Sequence, residues 1–477
     1  MANAQPNILL IPVDDLNNRI GTLSSEAAYT PNLDSLAQRA TLFERAYCSA
    51  PACGPSRASL LTGLLPSTSG FYYNSQPILA EQKAKNSKPI SLPAHFKSNG
   101  YTVGLYGKIF HTANRGDQLS QVTSPGYFAD HRGFWANIPD SVKASLTDYR
   151  HEGGSNFAWG PVPDAWEKEH PLVDTENTDH VIRALGQNHE KPFLLCLGYL
   201  RPHLPWVAPQ RFFDRYPLED IRLPSGYQEG DLEDLPQCAQ WMAQQVPGNG
   251  LGDSYLQKAI TEGDDWKKAI QAYLASISHM DEQLGRVLQV LDKSPYADNT
   301  IVILASDHGY HLGEKEHWTK FGLWEQTLQI PLLVALPKQK AQTTRTPVSL
   351  VDLFPTLISL AGIDAPNQQL DGIDLSPVLE NANQTRGRPV VSTYGYNNHS
   401  IRSEQFRYIC YRNGDEELYD HAEDPHEFTN LAGDPALQTI IKMMRSYLPA
   451  KNVPETNSGS NLGWDPNVFE DGYTYTP

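Results

Sequence analysis

The chain has 477 residues, 40% of them hydrophobic and 19% charged, and a formal net charge of −17. At about 150 residues per domain, that length supports two or three domains with an ample core. The acidic balance and dispersed basic residues argue against a nucleic-acid backbone as partner, and no run reaches the roughly 18 apolar residues that span a bilayer. The five cysteines, Cys48, Cys53, Cys196, Cys238 and Cys410, are too few and too scattered for a disulfide framework, and none falls in a CxxC pair.

In chain order, MANAQPN lacks the basic and apolar regions of an export signal, which leaves a cytoplasmic protein or one whose signal has been removed. NILLIPV then predicts a buried strand that ends at Asp14 and Asp15. TPNLDSLAQRA predicts a helix that Thr30 or Asn32 can cap. In CSAPACGPSRASLLTG, Pro55 suits the first turn of a helix through Ser56, Arg57, Ala58 and Leu61, stopped by Gly63 and Pro66. Its N-terminus would direct N–H groups at Cys53, and Arg57, one turn along, can reach back to the same place. A thiolate there would be a low-pKa nucleophile; a small buried cysteine is the plain alternative.

Residues 112–190 and 220–265 are rich in Gly, Pro, Asp and aromatics without a sustained period, and predict long loops that wall a site. Between them KPFLLCLGYLRPHLP predicts a strand followed by a basic loop containing His203. WKKAIQAYLASISHMDEQLGRVLQVLD carries Ile270, Tyr273, Ile277, Leu284 and Val287 at helical spacing. TIVILASDHG predicts another buried strand, ending at Asp307 and His308, and PLLVALP from Pro331 to Pro337 a further one. Strands of this kind alternating with helices predict an α/β fold with a mainly parallel sheet. From about Pro389, RPVVSTYGY, HSIRSEQFRYICYRNG and EELYD read as short antiparallel strands with a turn at Asn413 and Gly414. The expected division is a catalytic domain over 1–385 and an antiparallel-sheet subdomain with an extended tail over 386–477.

Ligands of open α/β sheets bind beyond the carboxyl ends of the strands. Asp14, Asp15, Asp307 and His308 can therefore converge, and three carboxylates in one place call for a cation. Oxygen-rich ligation favours Ca²⁺ or Mg²⁺ over zinc. Taken pair by pair, an Asp-Asp helix cap and an Asp-His turn explain the same residues.

Cys53-Gly54-Pro55-Ser56-Arg57 followed by Leu61-Thr62-Gly63 resembles the C-x-P-S-R signature of type I sulfatases, in which the cysteine is oxidised to formylglycine. The resemblance includes the two acidic pairs in the family's order and spans nearly the whole chain. GKIFH (Gly107 to His111), LRPHLPW (Leu200 to Trp206) and DHGYHLGEKEHWTK (Asp307 to Lys320) are similar to patterns of the iduronate-2-sulfatases and their bacterial polysaccharide-sulfatase relatives. It implies an alkaline-phosphatase-like large domain, its mostly parallel sheet flanked by helices, plus a smaller C-terminal α+β subdomain.

It also implies roles. Asp14, Asp15, Asp307, His308 and the modified Cys53 would hold one Ca²⁺. A hydroxyl of the hydrated aldehyde, acidified by the metal and Arg57 and deprotonated by Asp307, would attack sulfur. Lys108 and Lys320 would pair with sulfate oxygens, His203 or Lys320 would protonate the leaving sugar oxygen, and His111 would take the proton from the second hydroxyl. His399 and Arg402 are candidates for the substrate's carboxylate or a neighbouring sugar, and Tyr310, His311 and Trp159 for the sugar wall; ordinary packing and a strand-edge ion pair are their plain alternatives.

The implied partners are a sulfated oligosaccharide (a 2-O-sulfated uronate or galactan type) and a formylglycine-generating or anaerobic sulfatase-maturating enzyme. The implied location is periplasmic or secreted. A phosphonate monoester or phosphodiester hydrolase, or a silent glycan-binding homologue, stands as the alternative.

Overall fold

The computed structural model describes residues 5–74, 76, 89–111, 122–130, 133, 135–148, 157–244, 260–261 and 265–454. The first half supplies β1 (Asn7–Val13), α1 (Pro31–Ala37), β2 (Thr41–Phe43), α2 (Cys53–Thr62), β3 (Thr102–Gly107), β4 (Phe128–Asp130), α3 (Val173–Leu185) and β5 (Phe193–Gly198). The second half supplies α4 (Asp265–Asp292), β6 (Thr300–Ser306), β7 (Leu332–Ala335) and β8 (Gln342–Thr344). These strands form an eight-stranded sheet in the order β8, β2, β7, β6, β1, β5, β3, β4.

Every junction is parallel except those that β7 makes with β6 and β2. The sheet is thus mainly parallel, as expected, with PLLVALP supplying its antiparallel member: a strand buried on both faces is apolar throughout, whichever way it runs. Side chains alternate across the sheet. Ile8 and Leu10 of β1 join the core that also holds Leu60 and Leu61 of α2, while Leu9 and Ile11 join the core under Ile277 and Leu284 of α4.

Local chemistry sets the helices. All of α2 is buried, and Gly63 ends it in the left-handed region at φ 68°, where a Cβ would stand 2.7 Å from Leu370. Thr30 sits at the N-cap of α1 without capping it, because its hydroxyl accepts from Gly21 N at 3.0 Å. The Asp281 carboxylate of α4 does that work instead, accepting from Leu33 N at 2.8 Å and from Asn32 N and Nδ2 at 3.1 and 2.8 Å. α3 lies in a segment expected to be loop; its buried Val173, Val181, Ala184 and Leu185 give it an apolar stripe among charged residues.

Four antiparallel strands follow: β9 (Val390–Thr393), β10 (His399–Arg402), β11 (Phe406–Cys410) and β12 (Glu416–Asp420). Gly414, at φ 91°, turns β11 into β12 as the Asn-Gly pair predicts. One face of this sheet adds Val390, Ile409 and Tyr419 to the large core. The other packs Ile401, Tyr408 and Leu418 on α5 (Gln438–Arg445). The expected tail from residue 455 onward lies outside the described residues. No helix among the described residues is long and apolar enough to cross a membrane.

Asp281→Ala would strand donors at the start of α1, a loss of about 1–3 kcal/mol. Thermal unfolding should show a lowered Tm; an unchanged Tm would remove Asp281 from the account of that helix.

Candidate active site

Because β1 and β6 run parallel with Val13 opposite Ser306, the residues that follow each strand emerge side by side. Asp307 N donates to Val13 O at 2.9 Å, and Asp15 N donates to Asp307 Oδ1 at 3.2 Å. Asp15 is left-handed at φ 62°, an uncommon state for aspartate, and it turns the carboxylate off the strand direction. Tyr273 of α4 holds that turn: its hydroxyl donates to Asp15 O at 2.6 Å and accepts from Asn17 N at 2.9 Å.

On the opposite face α2 brings Cys53 to the same point. Ser56 Oγ donates to the Asp307 carbonyl, fixing the helix against the strand tip. Arg57 spreads over three groups, with Nε donating to Asp307 Oδ2 at 2.8 Å, Nη1 donating to Lys108 O, and Nη2 3.6 Å from Asp14 Oδ1. Lys108 enters because β3 ends on a glycine. Gly107, at φ 74°, lies opposite Gly198, and a Cβ on Gly198 would stand 2.0 Å from Lys108 O.

Lys320 arrives on a strained segment. Lys315, Glu316, Thr319 and Phe321 all have φ between 45° and 81°, a cost of about 1–3 kcal/mol each that rigid surroundings must bear. Those surroundings are present: Lys315 Nζ is buried between Asp231 Oδ1, at 2.9 Å, and the Glu427 carbonyl, while the His317 ring lies 2.8 Å from Ala243 O and 2.7 Å from Lys320 O.

The result is a buried knot of opposite charges. Lys108 Nζ pairs with Asp14 Oδ2, and Lys320 Nζ lies 2.6 Å from Asp15 Oδ1 and 3.0 Å from Cys53 Sγ. His308 Nε2 is 3.3 Å from Cys53 Sγ and 3.4 Å from Asp15 Oδ1, and His203 Nε2 is 3.9 Å from Asp15 Oδ2. His111 hydrogen-bonds the thiol. Burial opposes a thiolate at Cys53, yet the ammonium groups of Lys108 and Lys320 and the His308 imidazole outweigh it and hold the thiol well below its usual pKa. Burial pushes Asp307 up to about 7 against the pull of Arg57. Burial opposes charge on His308, but Asp307 raises it to about 9.

One ligand atom from each of Asp14, Asp15, Cys53 and His308 lies within 4.8 Å of the others, a spacing that fits one metal ion. Asp14 Oδ1 is buried and accepts no hydrogen bond. That oxygen and the two carboxylates suit a hard divalent cation, provided residue 53 contributes an oxygen, since a thiolate beside an imidazole suits a softer metal. Asp307 stands beside the four, its Oδ2 taken by Arg57 and its Oδ1 3.6 Å from His308 Nε2.

The family model described as Sulfatase matches residues 6–363. This chain belongs to the sulfatase family. A second model, N-sulphoglucosamine sulphohydrolase, C-terminal, matches residues 313–453 of this sulfatase. It is 36% identical over 485 residues to a sulfatase of Formosa agariphila, covering 99% of this chain and 90% of that one. To the iduronate 2-sulfatase of Mus musculus it is 33% identical over 400 residues, covering 76% and 69%. Among solved structures, the phosphonate monoester hydrolase of Agrobacterium radiobacter superposes with a TM-score of 0.74 at 22% identity, covering 93% and 94%. A 2-O GAG sulfatase superposes at 0.69 and 24%, covering 93% and 90%. The protein is a sulfuric ester hydrolase with the alkaline-phosphatase-like fold.

The structure brings together Asp14, Asp15, Cys53, Arg57, Lys108, His111, His203, Asp307, His308 and Lys320 of this sulfatase, and buries the five residues considered for the substrate in contacts of their own. Trp159 is buried against Phe157 and Trp206, and Tyr310 stacks on Tyr273 with ring centroids 5.8 Å apart. His311 is buried, 2.6 Å from Thr327 Oγ1. The Trp159 and Tyr310 rings pack in the core, where aromatic surface is worth most because water is excluded. Arg402 Nε lies 3.3 Å from Glu325 Oε2 in a buried ion pair, its plain alternative. His399 lies at the other end of β10, buried, 2.9 Å from Thr393 Oγ1. Sequence reasoning gave no site role to Ser56, Tyr273 or His317, nor to Asp174, whose carboxylate accepts from Leu200 N and Arg201 N at 2.8 Å and so holds the His203 loop. Only their place in the fold gives these residues a role.

Arg57→Met would leave Asp307 and Asp14 buried without that partner. Denaturant unfolding should show a loss of about 3–5 kcal/mol. Arg39→Met, at the exposed pair with Asp292, should lose less than about 1 kcal/mol. Equal losses would contradict the electrostatic account.

Proposed function

We propose that this sulfatase hydrolyses a sulfate ester of a sulfated carbohydrate, a 2-O-sulfated uronate or galactan-type oligosaccharide, using a formylglycine made from Cys53 and one Ca²⁺. The observation that carries the reading is the position of Cys53 Sγ, 3.0 Å from Lys320 Nζ and 3.3 Å from His308 Nε2, beside the aspartates of two strand tips. The sugar class is supported by relatives described as iduronate 2-sulfatase and N-acetylglucosamine-6-O-sulfatase. A maturation enzyme of the formylglycine-generating or anaerobic type would act on Cys53, and a periplasmic or secreted site of action accords with a polysaccharide substrate.

Asp14, Asp15, His308, Asp307 and residue 53 would hold the cation, which when bound supplies Lewis-acid polarisation of a sulfate oxygen. Lys108 and Lys320 neutralise Asp14 and Asp15 in this structure. With a cation on those carboxylates, both ammonium groups are free to donate to sulfate oxygens as negative charge builds on them. Arg57 keeps Asp307 oriented through Nε, so that Asp307 can accept the proton of the attacking hydroxyl of residue 53. His203 Nε2 faces the same space and can hand a proton to the departing sugar oxygen while the sulfur–oxygen bond to the sugar breaks. Burial keeps His111 mainly neutral, so it can accept the proton of the second hydroxyl as sulfate leaves.

Cys53→Ala should abolish turnover of 4-nitrophenyl sulfate with the fold intact by circular dichroism, and mass spectrometry of the active wild type should find residue 53 without its sulfur. Wild-type rates in the variant would contradict the nucleophile. Lys108→Ala should lower kcat/KM by about 10²-fold or more; an unchanged value would remove Lys108 from the site. Wild-type turnover of a phosphodiester in preference to the aryl sulfate would favour the phosphonate monoester or phosphodiester hydrolase alternative.

A further inference from the structure

One peptide unit of the strained segment is held at both of its polar ends. Thr319 and Phe321, on either side of Lys320, are left-handed at φ 80° and 81°. Neither residue type favours that state, so the peptide plane between Lys320 and Phe321 would turn if nothing held it. Its N–H, from Phe321, donates to the carbonyl of Pro51 at 3.0 Å, in the segment that leads into Cys53. Its carbonyl, from Lys320, meets His317 Nε2 at 2.7 Å. His317 Nδ1 in turn lies 2.8 Å from Ala243 O, in the last turn of the helix Gln237–Gln244. The plane is thus tied on one side to the segment that carries Cys53 and on the other, through one imidazole, to a separate helix.

The same contacts fix the protons on His317. A backbone carbonyl can only accept, so both ring nitrogens must donate, and the ring holds two N–H groups at once as an imidazolium. A neutral ring would set a nitrogen lone pair against a carbonyl lone pair at one end, and the ring is fully buried, so water cannot relieve that clash. Two other rings stand close: His311, with centroids 4.9 Å apart and edge to face, and Trp324 at 6.4 Å. Of the two imidazoles His311 is the neutral one. Its Nδ1 meets the Thr327 hydroxyl, which can donate or accept, and burial first, then positive charge on His317 and Lys315, holds it well below its usual pKa. Hydrogen bonds from a charged donor are stronger than neutral ones, which suits His317 to holding a peptide in a strained place.

From that plane the Lys320 side chain runs back to the site, where Nζ lies 2.6 Å from Asp15 Oδ1 and 3.0 Å from Cys53 Sγ. Turning the plane would carry the ammonium away from both, and a misplacement of about 1 Å can cost about 10²-fold in rate.

We propose that His317, carrying both ring protons, is the positioning residue that sets Lys320 at Cys53. The clamp stands on the geometry alone; its effect on turnover rests on the function proposed above, in which Lys320 donates to sulfate.

The test compares wild type with His317→Leu and with His317→Gln, which keeps one N–H, each alone and combined with Lys320→Ala. Crystal structures of the single variants should show Lys320 Nζ displaced by about 1 Å or more from its place beside residue 53. On 4-nitrophenyl sulfate, His317→Leu should lower kcat tenfold or more with KM within twofold, because Lys320 acts as charge builds on the sulfate oxygens. His317→Gln should lose less, and it carries the comparison alone should His317→Leu not fold. With Lys320 already removed, the same changes should cost less than twofold, since a residue that acts through Lys320 then has nothing to place. Nitrogen NMR of ring-labelled histidines in the wild type, assigned by the signals lost in His317→Gln, should find both nitrogens of His317 protonated. The proposal is overturned if Lys320 keeps its position in the variants, if the loss is the same with and without Lys320, or if His317 is neutral. A wild type that hydrolyses no sulfate ester, with Lys320 displaced in the variants, would overturn the proposed function and leave the clamp standing.

Discussion

Negative charge packed into a dry place is the constraint on which the rest of this structure depends. Asp14, Asp15 and Asp307 are all buried at adjoining strand tips, with a Cys53 whose thiol is tuned toward the thiolate. A lone buried carboxylate costs several kcal/mol, so each must be met by a cation at close range. Lys108 meets Asp14, Lys320 meets Asp15, and Arg57 meets Asp307. These cations come from three distant parts of the chain, so the fold has to deliver all three to one point. The parallel register of β1, β6, β5 and β3 sets the tips side by side, and Gly107 with Gly198 lets the β3 tip close in.

The same demand explains the strain in the segment that carries Lys320. Four left-handed residues persist there because the segment is pinned from several sides, by Asp231, by the carbonyls of Glu427 and Ala243, and by the Phe321 amide donating to Pro51 O at 3.0 Å. Glu427 belongs to the chain beyond the last strand of the C-terminal sheet, and its carboxylate also holds Arg407. The C-terminal strands therefore brace the loop that carries Lys320 as well as covering a face of the core. Positions that hold strain in this way are typical of sites where geometry serves chemistry.

The sequence made legible whatever is written locally. Continuous apolar runs located β1, β5 and β6, and the acidic residues ending two of them located the charge cluster. Pro55 and Gly63 framed α2 to within a few residues, and alternation with an Asn-Gly turn located the C-terminal strands. Information carried between distant residues was not legible. Asp281 caps α1 from 249 residues away, Glu325 takes Arg402 across 77, and neither partner leaves a mark on the other's neighbourhood. Trp159, Tyr310 and His311 could serve a core or a sugar equally well by composition, and only the fold shows which neighbours they pack against. α3 was hidden because its stripe is narrow and set among Asp174, Glu176, Asp179 and Arg183.

The central claim is that this charge cluster is built around a divalent cation, with Lys108 and Lys320 resting on carboxylates that the ion would share. Calorimetric titration of Ca²⁺ into chelator-treated protein tests it directly. The account predicts one ion per chain, with binding lost in Asp14→Asn while the fold is retained. Absence of binding by the wild type, or an unaltered isotherm in Asp14→Asn, would contradict it.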